Sequence, residues 1–148
     1  MNETILKFNY PESLIKEYNH WVVLIRDKQV TLGSLVLAYK EDVVSFSEVS
    51  REGFTELEII IKEIEMTLKR VFNFDKINYL TLMMVDKEVH THVIPRYTKA
   101  KIFNNKTYLD LGWPLLPDLK YTNDLNESEL IFLKEFLKNN FKFNYKTN

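Results

Sequence analysis

The chain has 148 residues, of which 45% are hydrophobic and 14% aromatic, enough for one compact domain with its own core. Its 20 basic and 21 acidic residues leave a net charge of −1, which gives no electrostatic basis for general nucleic-acid binding or for a membrane surface as partner. Cysteine is absent, excluding disulfides, thiolate metal sites and thiol nucleophiles. No apolar run approaches the roughly 20 residues of a bilayer span, and Met1–Tyr10 lacks a basic-then-apolar signal pattern, so the expected location is the cytoplasm.

Trp21–Ile25 is short, apolar and β-branched, and reads as a strand; Leu35–Tyr39 reads the same way. The polar stretch 26–34 between them, with Gly33 as its turn, makes the pair a hairpin. A long helix follows, with Ser50 as its N-cap. Phe54, Leu57, Ile61, Ile64, Leu68 and Val71 form one apolar stripe, and Glu56, Lys62, Glu63, Lys69 and Arg70 the solvated side. Asn73 or the residues just after it end the helix.

Asn78–Val85 predicts a third strand, nearly all apolar and therefore central, with Asp86-Lys87 as a tight turn. Val89–Ile94 predicts a fourth, ended by Pro95. Residues 97–120 hold Gly112-Trp113-Pro114 and Pro117-Asp118 and are expected to be mostly irregular. Asn126-Glu127-Ser128-Glu129 resembles a capping box that opens a last helix to about Asn140, with Leu130, Leu133 and Leu137 on one face. No repeat or linker interrupts the chain, so one α+β domain with an antiparallel sheet is expected over residues 1–148.

Two of the three histidines lie in Glu88-Val89-His90-Thr91-His92-Val93-Ile94-Pro95-Arg96. On a strand, Glu88, His90 and His92 share one face while Val89, Thr91 and Val93 point to the other. An imidazole with an ordinary pKa of about 6.5 is a competent nucleophile near neutrality and can form a phosphohistidine. A second imidazole beside it can hold a phosphate oxygen or protonate a leaving group. Phosphoryl transfer chiefly needs such positioning and charge neutralisation. The same three side chains also have the ligand types of a two-histidine, one-carboxylate metal site. Arg26 and Lys28, after the first strand, are candidates to neutralise phosphates. Arg96 is a further candidate, either for the ligand or for an acid across a subunit contact.

His90-Thr91-His92-Val93-Ile94-Pro95-Arg96 resembles the end of the histidine-triad (HIT) motif, in which three histidines alternate with apolar residues and Pro-Arg often follows. The stretch Val30 to Leu37 looks like the family's Pro-Gly-His turn into a strand, with Leu32 for the proline and Ser34 for the histidine. The order of elements is similar from about Trp21 to Tyr97, giving a HIT-like core at about 18–100 and a C-terminal extension at about 101–148. That extension looks like those of bacterial HIT-like proteins often labelled diadenosine polyphosphate hydrolases.

The resemblance implies that His90 is the nucleophile and His92 a phosphate-contacting neighbour. Glu88 stands in place of the first histidine and forms the third member of the catalytic set, with Arg26, Lys28, Ser34 and Arg96 around the phosphate or nucleotide. It implies a hydrolase or transferase acting on a nucleotide phosphoanhydride or phosphoramidate. No cofactor or resident metal is required, although a divalent cation can accompany the substrate. The expected partners are a small-molecule nucleotide and a second copy of the chain in a homodimer. The alternatives are a nucleotide-binding module with little catalysis and a metal-dependent enzyme built on Glu88, His90 and His92.

Overall fold

The computed structural model describes residues 1–141. Ten elements follow in order: α1 (Glu3–Lys7), β1 (Leu14–Glu17), β2 (Trp21–Ile25), β3 (Leu35–Tyr39), α2 (Arg51–Phe72), β4 (Lys76–Leu80), β5 (His90–Arg96), β6 (Lys101–Phe103), β7 (Lys106–Tyr108) and α3 (Glu127–Asn140). Five of the strands form one antiparallel sheet in the order β1-β2-β3-β5-β4. This is the α+β architecture the sequence predicts, with one long helix and a C-terminal helix.

Strand alternation divides the core into two layers. Trp21, Val23 and Ile25 of β2, Leu35, Leu37 and Tyr39 of β3, and Val93 of β5 bury one face of the sheet beneath α2 and α3. Val22 and Leu24 of β2, with Val36 and Ala38 of β3, face the other way and pack against Ile5 of α1 and the rings of Phe8 and Tyr10. The central strands are buried on both faces, which explains their unbroken apolar runs. Such a strand buries enough apolar surface to outweigh its weak local preference.

Helix α2 begins at the expected cap, where the Ser50 side chain accepts from Gly53 N. Asn73 ends it in the left-handed conformation, where its N–H donates to the Lys69 carbonyl. Gly53 lets the helix approach the sheet closely, for a Cβ there would lie 2.8 Å from the Tyr39 ring. Its carbonyl accepts the Trp21 indole N–H at 2.8 Å. The buried stripe differs from the predicted one. Gly53, Ile60, Glu63, Ile64, Thr67, Leu68 and Phe72 face inward, whereas Phe54 is exposed. Glu63, expected on the solvated side, is buried because Lys16 Nζ of β1, at 2.6 Å, and the hydroxyl of Tyr18 just after that strand, at 2.8 Å, meet its carboxylate.

Four further expectations are corrected. Strand β4 stops at Leu80 instead of Val85 and lies at the sheet edge, so a nine-residue connection of 81–89 replaces the tight turn. Strand β5 runs through Pro95 to Arg96. Its pairing with β3 ends at Val93, and beyond that point the Pro95 carbonyl accepts from Thr31 Oγ1 at 2.5 Å. The region 97–120 contains the hairpin of β6 and β7, turned by Asn104 and Asn105 at positive φ. Helix α1 and strand β1 precede the first predicted element. The capping box of α3 is present, with Asn126 and Glu129 bonding reciprocally and Leu133 and Leu137 buried. Residues 142–148, the end of the expected extension, lie outside the described residues. Among the described residues, no helix is long and apolar enough to cross a membrane.

Candidate active site

His90 and His92 lie on β5, on the face turned away from α2. Their strand partners are Ala38 and Val36 of β3, and Leu80 of β4 also opposes His92. Both rings are nearly buried, at 2% and 9% exposure, with centroids 5.3 Å apart. Helix α1 closes this face. The Phe8 ring lies 5.6 Å from each imidazole, so one aromatic side chain sets the position of both.

The two imidazoles differ chemically. His90 Nδ1 is 2.7 Å from the backbone carbonyl of Glu88. A carbonyl only accepts, so Nδ1 carries the proton and Nε2 of the neutral ring holds the free lone pair. Backbone geometry two residues upstream thus fixes the tautomer of the candidate nucleophile. His92 Nδ1 is buried without a hydrogen-bond partner among the described residues. Burial pushes the His92 pKa down to about 4, helped by the charges of Arg26 and His90 and opposed by Asp86. His92 is therefore neutral near pH 7 and meets a phosphate as an uncharged group.

Glu88 precedes β5, and its carboxylate accepts from Thr4 Oγ1 of α1 at 2.5 Å. That hydrogen bond holds its carboxyl below the usual range. Thr4 is itself buried, and Asn2 ties the start of α1 to the Tyr39 and Glu41 carbonyls at 2.9 and 3.0 Å. Lys7, at the other end, pairs with Asp86 at 3.0 Å. Among the described residues, no three histidine, cysteine or carboxylate side chains are placed to share a metal ion. Glu88 is turned to Thr4 and His90 Nδ1 to a carbonyl.

The phosphate candidates divide into two groups. Arg26 and Lys28 line a pocket of about 290 Å³ together with Lys7, Phe8 and Asp27. Phe8 joins this pocket to the histidine pair. The Arg26 guanidinium donates from Nη1 to the Lys28 carbonyl at 2.8 Å, and its Nε is buried without a partner among the described residues. Ser34 and Arg96 are not brought to this pocket. Ser34 is buried in its turn, donating to the Thr31 carbonyl and accepting from Thr31 N. Arg96 grips Asp110 through Nε and Nη2 at 2.8 and 3.0 Å and donates from Nη1 to Asn78 and the Leu115 carbonyl. It thereby fastens the C-terminal segment to the sheet.

Sequence reasoning missed Thr4, Lys7, Phe8 and Gln29. The Gln29 amide organises the 26–34 loop from inside: its oxygen accepts from Gly33 N and Ser34 N, and its nitrogen donates to the Arg26 and Ser34 carbonyls. A polar loop of this kind signals only a turn. For α1 one readable signal existed in Asn2, whose side chain caps the helix by accepting from Ile5 N.

No family model matches the sequence, and no curated protein matches it. Solved structures do. A histidine-triad protein from Marinobacter aquaeolei VT8 superposes with a TM-score of 0.73 at 17% identity, covering 96% of this chain and 95% of that one. A histidine-triad protein from Sinorhizobium meliloti 1021 also gives 0.73 at 17% identity, with 95% of each chain covered. A hypothetical histidine triad nucleotide-binding protein from Sulfolobus tokodaii strain 7 gives 0.68 at 16% identity, over 94% of this chain and 89% of that one. The chain therefore has the histidine-triad fold, over nearly its whole length. At these identities the likeness concerns the fold alone, and the chemistry rests on the residues.

Proposed function

We propose that the protein binds nucleotides and hydrolyses or transfers them through a covalent intermediate on His90. The observation that carries this reading is the 2.7 Å contact between His90 Nδ1 and the Glu88 carbonyl, which leaves Nε2 as the lone-pair nitrogen. In the proposed reaction Nε2 attacks the α-phosphorus of a phosphoanhydride or phosphoramidate. An N–P bond forms, the bond to the leaving group breaks, and the leaving group takes a proton from solvent. Water then attacks phosphorus, the N–P bond breaks with its electron pair returning to Nε2, and the water's proton passes to solvent as the nucleotide is released. His92, neutral and adjacent, orients a phosphoryl oxygen, while Arg26 and Lys28 neutralise its charge. No cofactor is required, and a divalent cation can enter with the substrate. We also propose that the protein works as a homodimer, a reading that rests on the resemblance to histidine-triad proteins.

The test is single-turnover trapping with 32P-labelled dinucleoside polyphosphate and nucleoside phosphoramidate. The expected result is an acid-labile, base-stable label on the wild-type protein and none on His90→Ala, whose turnover falls by at least about a thousandfold. Unchanged turnover in His90→Ala would overturn the reading. A second reading, a binding module with little turnover, is favoured by the Glu88 carboxylate, which occupies the place of the first motif histidine and is tied to Thr4. It predicts nucleotide binding with no trapped label.

A further inference from the structure

We infer that Thr4 of α1 is a positioning residue for the nucleophile: by holding the Glu88 side chain it keeps the Glu88 carbonyl on His90 Nδ1. Docking of α1 and readiness of Nε2 are then one event. The inference rests on the covalent reading above for its effect on turnover, whereas the tautomer can be read without it. Glu88 lies outside the strand ladder, at the end of the 81–89 connection. Leu82, Met84 and Val85 of that connection are exposed, so it has little packing of its own to place the carbonyl. Hydrogen bonds do so instead.

Those bonds close a circuit. The Val89 N–H, in the same peptide group as the Glu88 carbonyl, donates to the Val43 carbonyl at 2.9 Å. One such bond aims the peptide but lets it tilt about the bond's axis. The second anchor is the Glu88 carboxylate, which accepts from Thr4 Oγ1 at 2.5 Å. Thr4 is buried, and Asn2 caps its helix while donating to the Tyr39 carbonyl. The Tyr39 N–H in turn donates to the Val89 carbonyl at 3.0 Å. The circuit thus runs from Asn2 through Tyr39, Val89 and Glu88 back to Thr4. Lys7 adds another tie to the same connection, at Asp86. Phe8, whose N–H donates to the Thr4 carbonyl at 3.1 Å, stands one helical turn after Thr4. The face of α1 that holds Glu88 therefore also carries the ring packed on both imidazoles. A neutral imidazole freed from the carbonyl can carry its proton on either nitrogen, and a proton on Nε2 removes the lone pair that attacks phosphorus. Undocking of α1 disarms the nucleophile as it uncovers it.

The test is 1H–15N NMR of the imidazoles in the full chain, recorded where the rings are neutral, with His90 identified by its loss in His90→Ala. Wild type is expected to show the single Nδ1–H tautomer at His90. Thr4→Val, which keeps the side-chain shape and removes the hydroxyl, should add the Nε2–H tautomer, and Thr4→Ser should restore the wild-type spectrum. Glu88→Ala breaks the same bond from its half-buried partner, so the inference remains testable if Thr4→Val fails to fold. In single-turnover labelling with the dinucleoside polyphosphate, Thr4→Val should slow the rate at saturating ligand about tenfold while changing ligand affinity by less than about threefold. The inference is overturned by mixed tautomers in wild type, or by a pure Nδ1–H tautomer in Glu88→Ala and in a folded Thr4→Val. It is equally overturned if Thr4→Ser is as impaired as Thr4→Val, or if labelling is unslowed in a Thr4→Val protein whose tautomer has shifted. If the tautomer shifts as expected but wild-type protein traps no phosphohistidine, the covalent reading fails and the positioning role stands.

Discussion

His92 shows how a single position couples the site to the stability of the whole chain. Its pKa of about 4 arises first from burial and then from the charge of Arg26. Replacing Arg26 by Gln should raise that pKa towards the ordinary value of about 6.5. Long-range 1H–15N NMR titration of the imidazole would read the change, and an unmoved titration would show that Arg26 exerts no field there. The stability consequence has a definite sign. An unfolded histidine binds its proton near pH 6.5 and the folded one only near pH 4, so between those values the unfolded chain holds more protons. The contribution of neutral His92 is complete above about pH 6.5 and is lost as pH falls towards 4. The urea midpoint should therefore fall across this window, and fall less steeply in His92→Gln. The histidine pair itself was legible in the sequence, because alternation along a strand places residues two apart on one face. Thr4 and Phe8 were not, because 84 positions separate Thr4 from the Glu88 it bonds, and no local pattern encodes such a contact.

At the scale of elements, α2 shows which part of a helix a sequence specifies. Its cap, length and end follow from Ser50 and Asn73, both local signals. Its buried face is rotated from the predicted stripe, because Glu63 turns inward to Lys16 and Tyr18. A glutamate on a helix ordinarily faces water, and only β1, itself too short to show a pattern, makes burial tolerable. Tyr18→Phe should remove one of the two side-chain partners of that carboxylate and destabilise the fold by roughly 1.5–3 kcal/mol, measured by urea unfolding. A change below about 0.5 kcal/mol would mean that Lys16 alone satisfies Glu63. The β6–β7 hairpin was missed for another reason: its arms have three residues each, and the Asn104-Asn105 turn was its strongest signal.

For the molecule as a whole, antiparallel order and the two-layer core follow from the apolar runs of β2 and β3 and the periodicity of α2. What escaped sequence reasoning is the second, smaller layer, because it is built from the first ten residues rather than from a long periodic element. The sheet keeps β4 as an edge strand. Leu115 and Leu116 are 77% and 81% exposed in the segment that Arg96 fastens to the sheet. Large apolar side chains so exposed tend to be covered by association. Sedimentation equilibrium should give twice the mass of one chain at micromolar concentration; a single-chain mass across that range would exclude the homodimer.

The placement of α1 makes access to the imidazoles a question of local unfolding. A helix of five residues has too few internal hydrogen bonds to persist alone, so it holds its position through Asn2, Thr4 and Phe8 and leaves it when they release together. The histidine rings then become reachable by a chemical modifier at a rate governed by the opening of α1 and not by global unfolding. Diethyl pyrocarbonate labelling of His90 and His92 should accelerate in Thr4→Val at denaturant concentrations where the main core remains intact. The first eight residues would thus set the lifetime of a closed site at the other end of the sheet's sequence.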